Sequence, residues 1–207
     1  FDIEIDTKNI DEFIETVKNI SPTFGGINLE DIKAPEAFEI ERRLVDELDI
    51  PVMHDDQHGT AIISGAALIN ALELANKKIG EIQMVICGAG AAAISCAKMY
   101  KSLGVKKKNM LMFDSKGLIN INRKDLSLEK KLFASKNVEI ESLADAINVS
   151  DVFIGLSKAD MMSKEMLLSM NKNPIVFAMA NPDPEINYKV ALRTRDDIIT
   201  VSYTHLR

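Results

Sequence analysis

Apolar positions along this chain recur at two spacings, and the changes from one to the other mark out its elements. Residues 1–9 alternate, with Ile3 and Ile5 set against Asp2, Glu4 and Asp6, which is a strand-like pattern. Asn9 can cap a helix reaching about residue 20, with Ile10, Phe13, Ile14 and Val17 on one face, and Pro22 ends it. Residues 23–29 read as a strand carrying a glycine pair, followed at once by Glu30-Asp31. Pro35 suits the first turn of a helix to about residue 48, with Phe38, Ile40, Leu44, Val45 and Leu48 apolar. The short apolar run 50–53, interrupted by Pro51, reads as a strand that stops at Asp55-Asp56. A helix predicted from about residue 60 to 76 is apolar nearly all round, and such a helix belongs between layers or between domains.

The pattern then becomes a regular alternation of strand and helix. Residues 82–87 predict a strand, 94–103 a helix, and 109–113 a second strand ending in Asp114. Residues 120–137 are polar and lysine-rich, with a helical stretch near 126–134, and read as a surface excursion. A helix over 140–149 precedes a strand over 152–155, and Ser163 caps the helix after it. Residues 174–180 predict a buried strand ending in Asn181-Pro182-Asp183-Pro184-Glu185, and a short strand over 197–200 closes the series. The fold class is therefore α/β, with strands and helices alternating as in a doubly wound parallel sheet.

Composition changes this picture little, but charge does. Hydrophobic residues at 46% and charged residues at 27% are those of an ordinary globular chain of 207 residues. No apolar run approaches the roughly 18 residues of a membrane span, and the N-terminus has no signal-peptide core. Cys87 and Cys96 make no disulfide framework and read as reduced, buried thiols, so a cytoplasmic location is expected. The net charge of −6 is unevenly spread: residues 1–56 hold 5 Lys/Arg against 16 Asp/Glu, and the remainder 20 against 15. An acidic first quarter suits a cation, and no concentrated basic patch offers itself to nucleic acid.

Two stretches carry candidate chemistry. Adjacent carboxylates at Asp55-Asp56 and again at Glu30-Asp31 are costly unless a positive charge sits against them, and Mg²⁺ or Mn²⁺ would remove that cost. Two solvated turns that never meet would show the same spacing. Both pairs directly follow apparent strands, however, and parallel neighbours would bring them to one sheet edge, where α/β sheets place ligands. The second stretch is Gly88-Ala89-Gly90-Ala91-Ala92-Ala93, set between a strand and a helix as in dinucleotide-binding turns. Gly88 would permit the tight turn, Gly90 the approach of a pyrophosphate, and Ala93 close helix–strand packing. Asp114, 21 residues after Ala93, stands where an acid would bind the ribose hydroxyls. Ser115-Lys116 could equally accept the 2′-phosphate of NADP or form an ordinary turn. Asn181 could aim its amide at a ligand or merely cap a turn. His54 and His58 have zinc-like spacing only if both lie on one helix, and His54 reads as preceding it.

Taken in order, TFGGINLEDIKAP (23–35), HDDQHGT (54–60), GAGAAA (88–93), DSKG (114–117) and ANPDPE (180–185) resemble the bacterial short-chain malic enzymes, over residues 1 to about 200. The resemblance implies oxidative decarboxylation of (S)-malate to pyruvate and CO₂, with NAD or NADP as hydride acceptor and Mg²⁺ or Mn²⁺ polarising the 2-keto acid. It implies Glu30, Asp31 and Asp56 as metal ligands, Asp55 as a neighbour tuning that site, and Asn181 in contact with substrate or nicotinamide. It makes 1–55 the end of a smaller α/β substrate and metal domain and 56–207 a doubly wound dinucleotide domain, and implies a homo-oligomer in the full-length protein. The family's Tyr general acid and Lys general base would precede Phe1, and Lys33 lies in the metal motif instead. The segment 201–207 departs from the family pattern, so Tyr203 and His205 are given no role. The chain thus reads as an internal piece that binds dinucleotide and turns malate over poorly. A dinucleotide-binding regulatory module without chemistry is the alternative.

Overall fold

The computed structural model describes every residue except Ala34, Leu206 and Arg207, and every other side chain except those of Asp56 and Thr204. The chain divides into two compact units, Phe1–Gly59 and Thr60–Arg207.

The first unit is built on two amphipathic helices and a pair of short strands. Helix α1 (Ile10–Ile20) starts at Asn9, whose side-chain oxygen accepts the N–H groups of Asp11 and Glu12 at 2.9 and 3.2 Å, satisfying two donors that the first turn leaves unpaired. Strand β1 (Ile27–Leu29), helix α2 (Glu36–Glu47) and strand β2 (Val52–His54) follow. Ile14 and Val17 from α1, Ile40 and Leu44 from α2, and Leu29 from β1 form the buried core. β1 and β2 pair in parallel, with Ile27 opposite Val52 and Leu29 opposite His54. Residues 1–9 form no strand, contrary to their alternation. They contribute no rung to β1 or β2, and only Ile5 packs, half-buried, against the core. The predicted strand 23–29 is likewise reduced to its last three residues, because Ser21–Thr23 continue α1 as a 3₁₀ turn around Pro22.

Helix α3 (Asp55–Leu74) begins directly after β2, five residues earlier than its apolar pattern suggests. Asp55 and Asp56 therefore occupy its first turn, where the partial positive charge of the helix end favours carboxylates. Its apolar girth is only half used. Ala61, Leu68, Ala71 and Leu72 are buried, whereas Ile62, Ile63, Ile69 and Leu74 are exposed. A helix lying on one sheet face buries only the stripe that faces the sheet.

The second unit is a six-stranded sheet in the order β5-β4-β3-β6-β7-β8. Its strands are β3 (Met84–Cys87), β4 (Met110–Asp114), β5 (Gly117–Leu118), β6 (Val152–Gly155), β7 (Ile175–Ala178) and β8 (Ile199–Ser202). All neighbours are parallel except β4 and β5, which form a small hairpin that the sequence pattern does not disclose. Every residue of β3, β6 and β7 is buried, as in a sheet covered on both faces. The covering helices include α4 (Ala91–Leu103), α6 (Leu143–Ile147), α7 (Lys164–Ser169) and α8 (Tyr188–Thr194), with a single turn, α5 (Leu128–Lys131), between β5 and α6. The chain leaves β3 for β4 on one side and returns to β6 on the other, so the end of β3 is the topological switch point.

Two expectations for this unit need correction. The segment 120–137 is not a surface excursion. Leu126, Phe133 and Ala134 are buried with Ile119 in the core beside β3 and β4, and Ser135 and Ile119 are joined by a backbone hydrogen bond of 2.9 Å. The last strand runs two residues further than 197–200 suggests, since Val201 and Ser202 pair with Phe177 and Ala178. Among the described residues, no helix is long and apolar enough to cross a membrane.

Candidate active site

The glycine turn sits at the switch point. Gly88 has φ of +126°, a conformation that suits only glycine well, and its N–H donates to Phe113 O at 2.9 Å. A Cβ on Gly88 would lie 2.3 Å from Leu156 O, so the residue is wedged between the end of β4 and the loop that follows β6. Gly90 differs: its backbone is extended, and a Cβ there would meet nothing within 4 Å. It precedes the 13-residue helix α4 and caps it with no side chain, leaving the first-turn N–H groups of Ala91, Ala92 and Ala93 to an incoming group. A bare helix N-terminus behind an open glycine turn fits a pyrophosphate. Ala93 is buried and packs against the sheet, the role its small size predicts.

The loops after β6 and β7 are tied together by Glu185, a residue the sequence reading passed over. Glu185 is fully buried; its Oε1 accepts the N–H of Ser157 at 2.9 Å and its Oε2 that of Ala180 at 3.0 Å. Gly155 makes room for it, since a Cβ there would lie 2.3 Å from the Glu185 carboxyl carbon. Asn181 stands beside this clamp, exposed at the tip of β7, and it caps no helix; Asn187 caps α8 instead. Cys87 Sγ lies 3.3 Å from Ser157 Oγ, and burial pushes its thiol pKa up. The Cys96 thiol is likewise raised by burial, to about 11. Both cysteines are free and buried, as expected, and neither has thiolate character.

At the end of β4, Asp114 is already occupied. Its Oδ1 accepts from Arg123 Nη1 at 2.8 Å and from Lys116 N at 2.9 Å; its Oδ2 accepts from Arg123 Nη2 at 3.0 Å and Lys130 Nζ at 2.9 Å. Against a desolvation that opposes ionisation, these donors hold the carboxyl well below the usual carboxylate range. Arg123 and Lys130 lie in the segment read as surface, and nothing in their spacing points to Asp114.

In the first unit, the parallel register puts the residues after Leu29 and after His54 at one edge of the β1–β2 pair. Glu30 and Asp31 are exposed there, Asp31 with φ of +54°, and Asn28 Nδ2 donates to Glu30 Oε1 at 2.9 Å. Asp55 is half-buried and folds its carboxylate over Gly59. The Asp56 side chain lies outside the described residues, and among those described no three His, Cys, Asp or Glu side chains group as metal ligands. Glu30, Asp31 and Asp55 offer carboxylate oxygens at this edge, the kind of ligand that Mg²⁺ and Mn²⁺ prefer. His54 ends β2 and His58 lies on α3, and each has a partner of its own. His54 Nε2 is 3.1 Å from Ile32 O, and His58 Nε2 is 2.8 Å from Glu41 Oε1. Glu41 also accepts the N–H of His54 at 2.9 Å, so His54 and Glu41 brace the loop bearing Glu30 and Asp31. This arrangement has no zinc-like pairing.

The strand order, the glycine turn at its switch point and the covering helices define a Rossmann-type α/β protein. The chain belongs to the malic enzyme family: the family's NAD-binding domain matches residues 57–202 and its N-terminal domain residues 4–45. It is 50% identical over 198 residues to the NADP-dependent malic enzyme of Halomonas elongata, covering 96% of this chain and 47% of that protein. It is 48% identical over 197 residues to an NAD-dependent malic enzyme of Rhizobium meliloti, covering 95% of this chain and 26% of that protein. The crystal structure of the NAD-dependent malic enzyme from Thermotoga maritima matches with a TM-score of 0.88 and 39% identity, over 98% of this chain and 54% of that one. The chain thus spans about half or less of the length of these relatives.

Proposed function

We propose that the protein containing this chain converts (S)-malate to pyruvate and CO₂, passing hydride to NAD⁺ or NADP⁺ with a divalent cation bound. The observation that supports it over a generic dehydrogenase is the in-register parallel pair β1–β2, which delivers two acidic pairs to one edge. A hydride-transfer enzyme that leaves carbon–carbon bonds intact has no need of them. Glu30, Asp31 and Asp56 would hold Mg²⁺ or Mn²⁺, which when bound supplies Lewis-acid stabilisation of the charge left as the distal carboxylate departs. Asp55, beside them on the first turn of α3, tunes that site electrostatically. Gly88 to Ala93 bind the pyrophosphate, and Asp114 organises the adenosine ribose end through the cations it fixes. Asn181, which follows the Ala180 whose N–H Glu185 holds, would face substrate or the nicotinamide. The full-length protein is read as a cytoplasmic homo-oligomer.

Metal binding tests this reading directly. Glu30→Gln and Asp56→Asn are each expected to weaken Mn²⁺ binding, followed by calorimetry or the spin resonance of the free ion, by at least about tenfold. Unchanged affinity in both variants would show that the acidic pairs are not ligands, and would leave a dinucleotide-binding module without this chemistry.

A further inference from the structure

We infer that Glu41, His54 and His58 are positioning residues for the two acidic pairs, so that affinity for a divalent cation is set in part by three side chains that supply none of its proposed ligands. The inference rests on the metal reading above. Strand β2 runs into α3 with no residue between them, so the direction in which Asp55 and Asp56 leave the helix follows from the angle of the chain at His54. β2 pairs on one side only, with β1, and the N–H of its last residue, His54, donates to Glu41 Oε1 at 2.9 Å. The same oxygen accepts from His58 Nε2, in the first turn of α3, at 2.8 Å. One atom of α2 thus holds both sides of the junction. α2 is itself anchored in the core of the unit by Ile40, which precedes Glu41, and by Leu44.

The upstream pair is tied to the same junction. A carbonyl oxygen can only accept, so the contact of 3.1 Å between the His54 ring and Ile32 O places the ring proton on Nε2. The ring is buried, which shields that bond from water. Ile32 directly follows Asp31, whose φ of +54° is a left-handed conformation that a residue with a side chain holds only where its surroundings enforce it. The β1–β2 register cannot do this work alone, because both acidic pairs lie beyond its last rung, Leu29 opposite His54. Glu30 and Asp31 are therefore joined to Asp55 and Asp56 through one imidazole and one carboxylate. The Glu41 side chain is 14% exposed and that of His58 45% exposed, so His58 can be removed without opening the core. Both bonds to Glu41 end on a single oxygen, which an amide supplies as well as a carboxylate, so position and charge can be separated.

The test is a Mn²⁺ titration of the purified protein, with the free ion followed by spin resonance and folding by thermal denaturation. Groups that orient metal ligands are typically worth about 10- to 100-fold in affinity, so Glu41→Ala should weaken Mn²⁺ binding about tenfold. His58→Ala should weaken it about three- to tenfold with the melting temperature unaltered. His58→Ala removes no negative charge, so a loss there is not a loss of attraction for the cation. Glu41→Gln should bind within about twofold of wild type, because its amide oxygen can accept both N–H groups. Combining Glu41→Ala with His58→Ala should add little to Glu41→Ala alone, since both changes break one linkage. Unchanged affinity in His58→Ala, or Glu41→Gln as weak as Glu41→Ala, would overturn the inference while Glu30→Gln and Asp56→Asn still mark the cation site. Should Glu41→Ala not fold, His58→Ala alone decides between the same outcomes. No Mn²⁺ binding by wild type, or binding that Glu30→Gln and Asp56→Asn leave intact, would overturn the metal reading and this inference with it.

Discussion

Glu185→Ala is expected to destabilise the protein by about 2–5 kcal/mol, because it strands two buried backbone donors, the N–H groups of Ser157 and Ala180. Against a typical total of about 5–15 kcal/mol, that loss is severe. Glu185→Gln should cost less than alanine but still measurably, since its amide can accept from only one of the two N–H groups and turns a donor toward the other. Urea denaturation distinguishes the three forms, and equal midpoints for wild type and alanine would show that the clamp contributes nothing. A cycle with Gly155→Ala isolates the contact. The added Cβ would meet the Glu185 carboxyl group 2.3 Å away, so Gly155→Ala should be costly in wild type and much less so beside Glu185→Ala. Acidity adds a signature. Burial raises the Glu185 carboxyl above its usual range, with the two N–H donors pulling the other way. The folded state then holds a proton that the unfolded chain releases, so this residue's contribution is fully present in acid and is lost as pH climbs through the folded-state value. Glu185→Gln should flatten that part of the stability profile.

What the sequence discloses and what it hides divide along physical lines. Continuous apolar runs such as Met84–Cys87 and Ile175–Ala178 declare themselves as buried parallel strands, because both faces of the sheet are covered. Asn9 and Ser163 mark helix starts by local hydrogen bonding that needs no tertiary context. Residues 1–9 have the alternation of a strand without a partner for it, and a pattern cannot supply a ladder. The segment 120–137 looks like surface because its three buried residues are scattered among lysines, yet those three fold it against the core and bring Arg123 and Lys130 to Asp114. The site divides in the same way. The glycine turn is a local device and is legible, with Gly88 and Gly90 in distinct roles. Glu185 and Glu41 act across 28 and 13 residues on backbone N–H groups, and only the folded chain reveals such partners.

The two turn glycines should separate folding from binding. At Gly88, a methyl group would require φ near +126° and would run into Leu156 O and its carbonyl carbon at 2.3 and 2.7 Å. Backbone strain and overpacking together should cost Gly88→Ala about 2–6 kcal/mol, and the neighbouring backbone cannot retreat because Leu156 N is itself bonded to Cys87 O at 2.8 Å. At Gly90, φ is −80° and the space beyond is open, so Gly90→Ala should fold with near wild-type stability. That open space is where a pyrophosphate must approach the α4 N-terminus, and a methyl group there should weaken dinucleotide binding at least about tenfold. Thermal denaturation and NAD(P)H titration on the two variants give four numbers. The expected pattern is a low melting temperature for Gly88→Ala, and a normal melting temperature with poor binding for Gly90→Ala. Tight binding by Gly90→Ala would move the pyrophosphate away from this turn, and a stable Gly88→Ala would mean that the contact with Leu156 is not made.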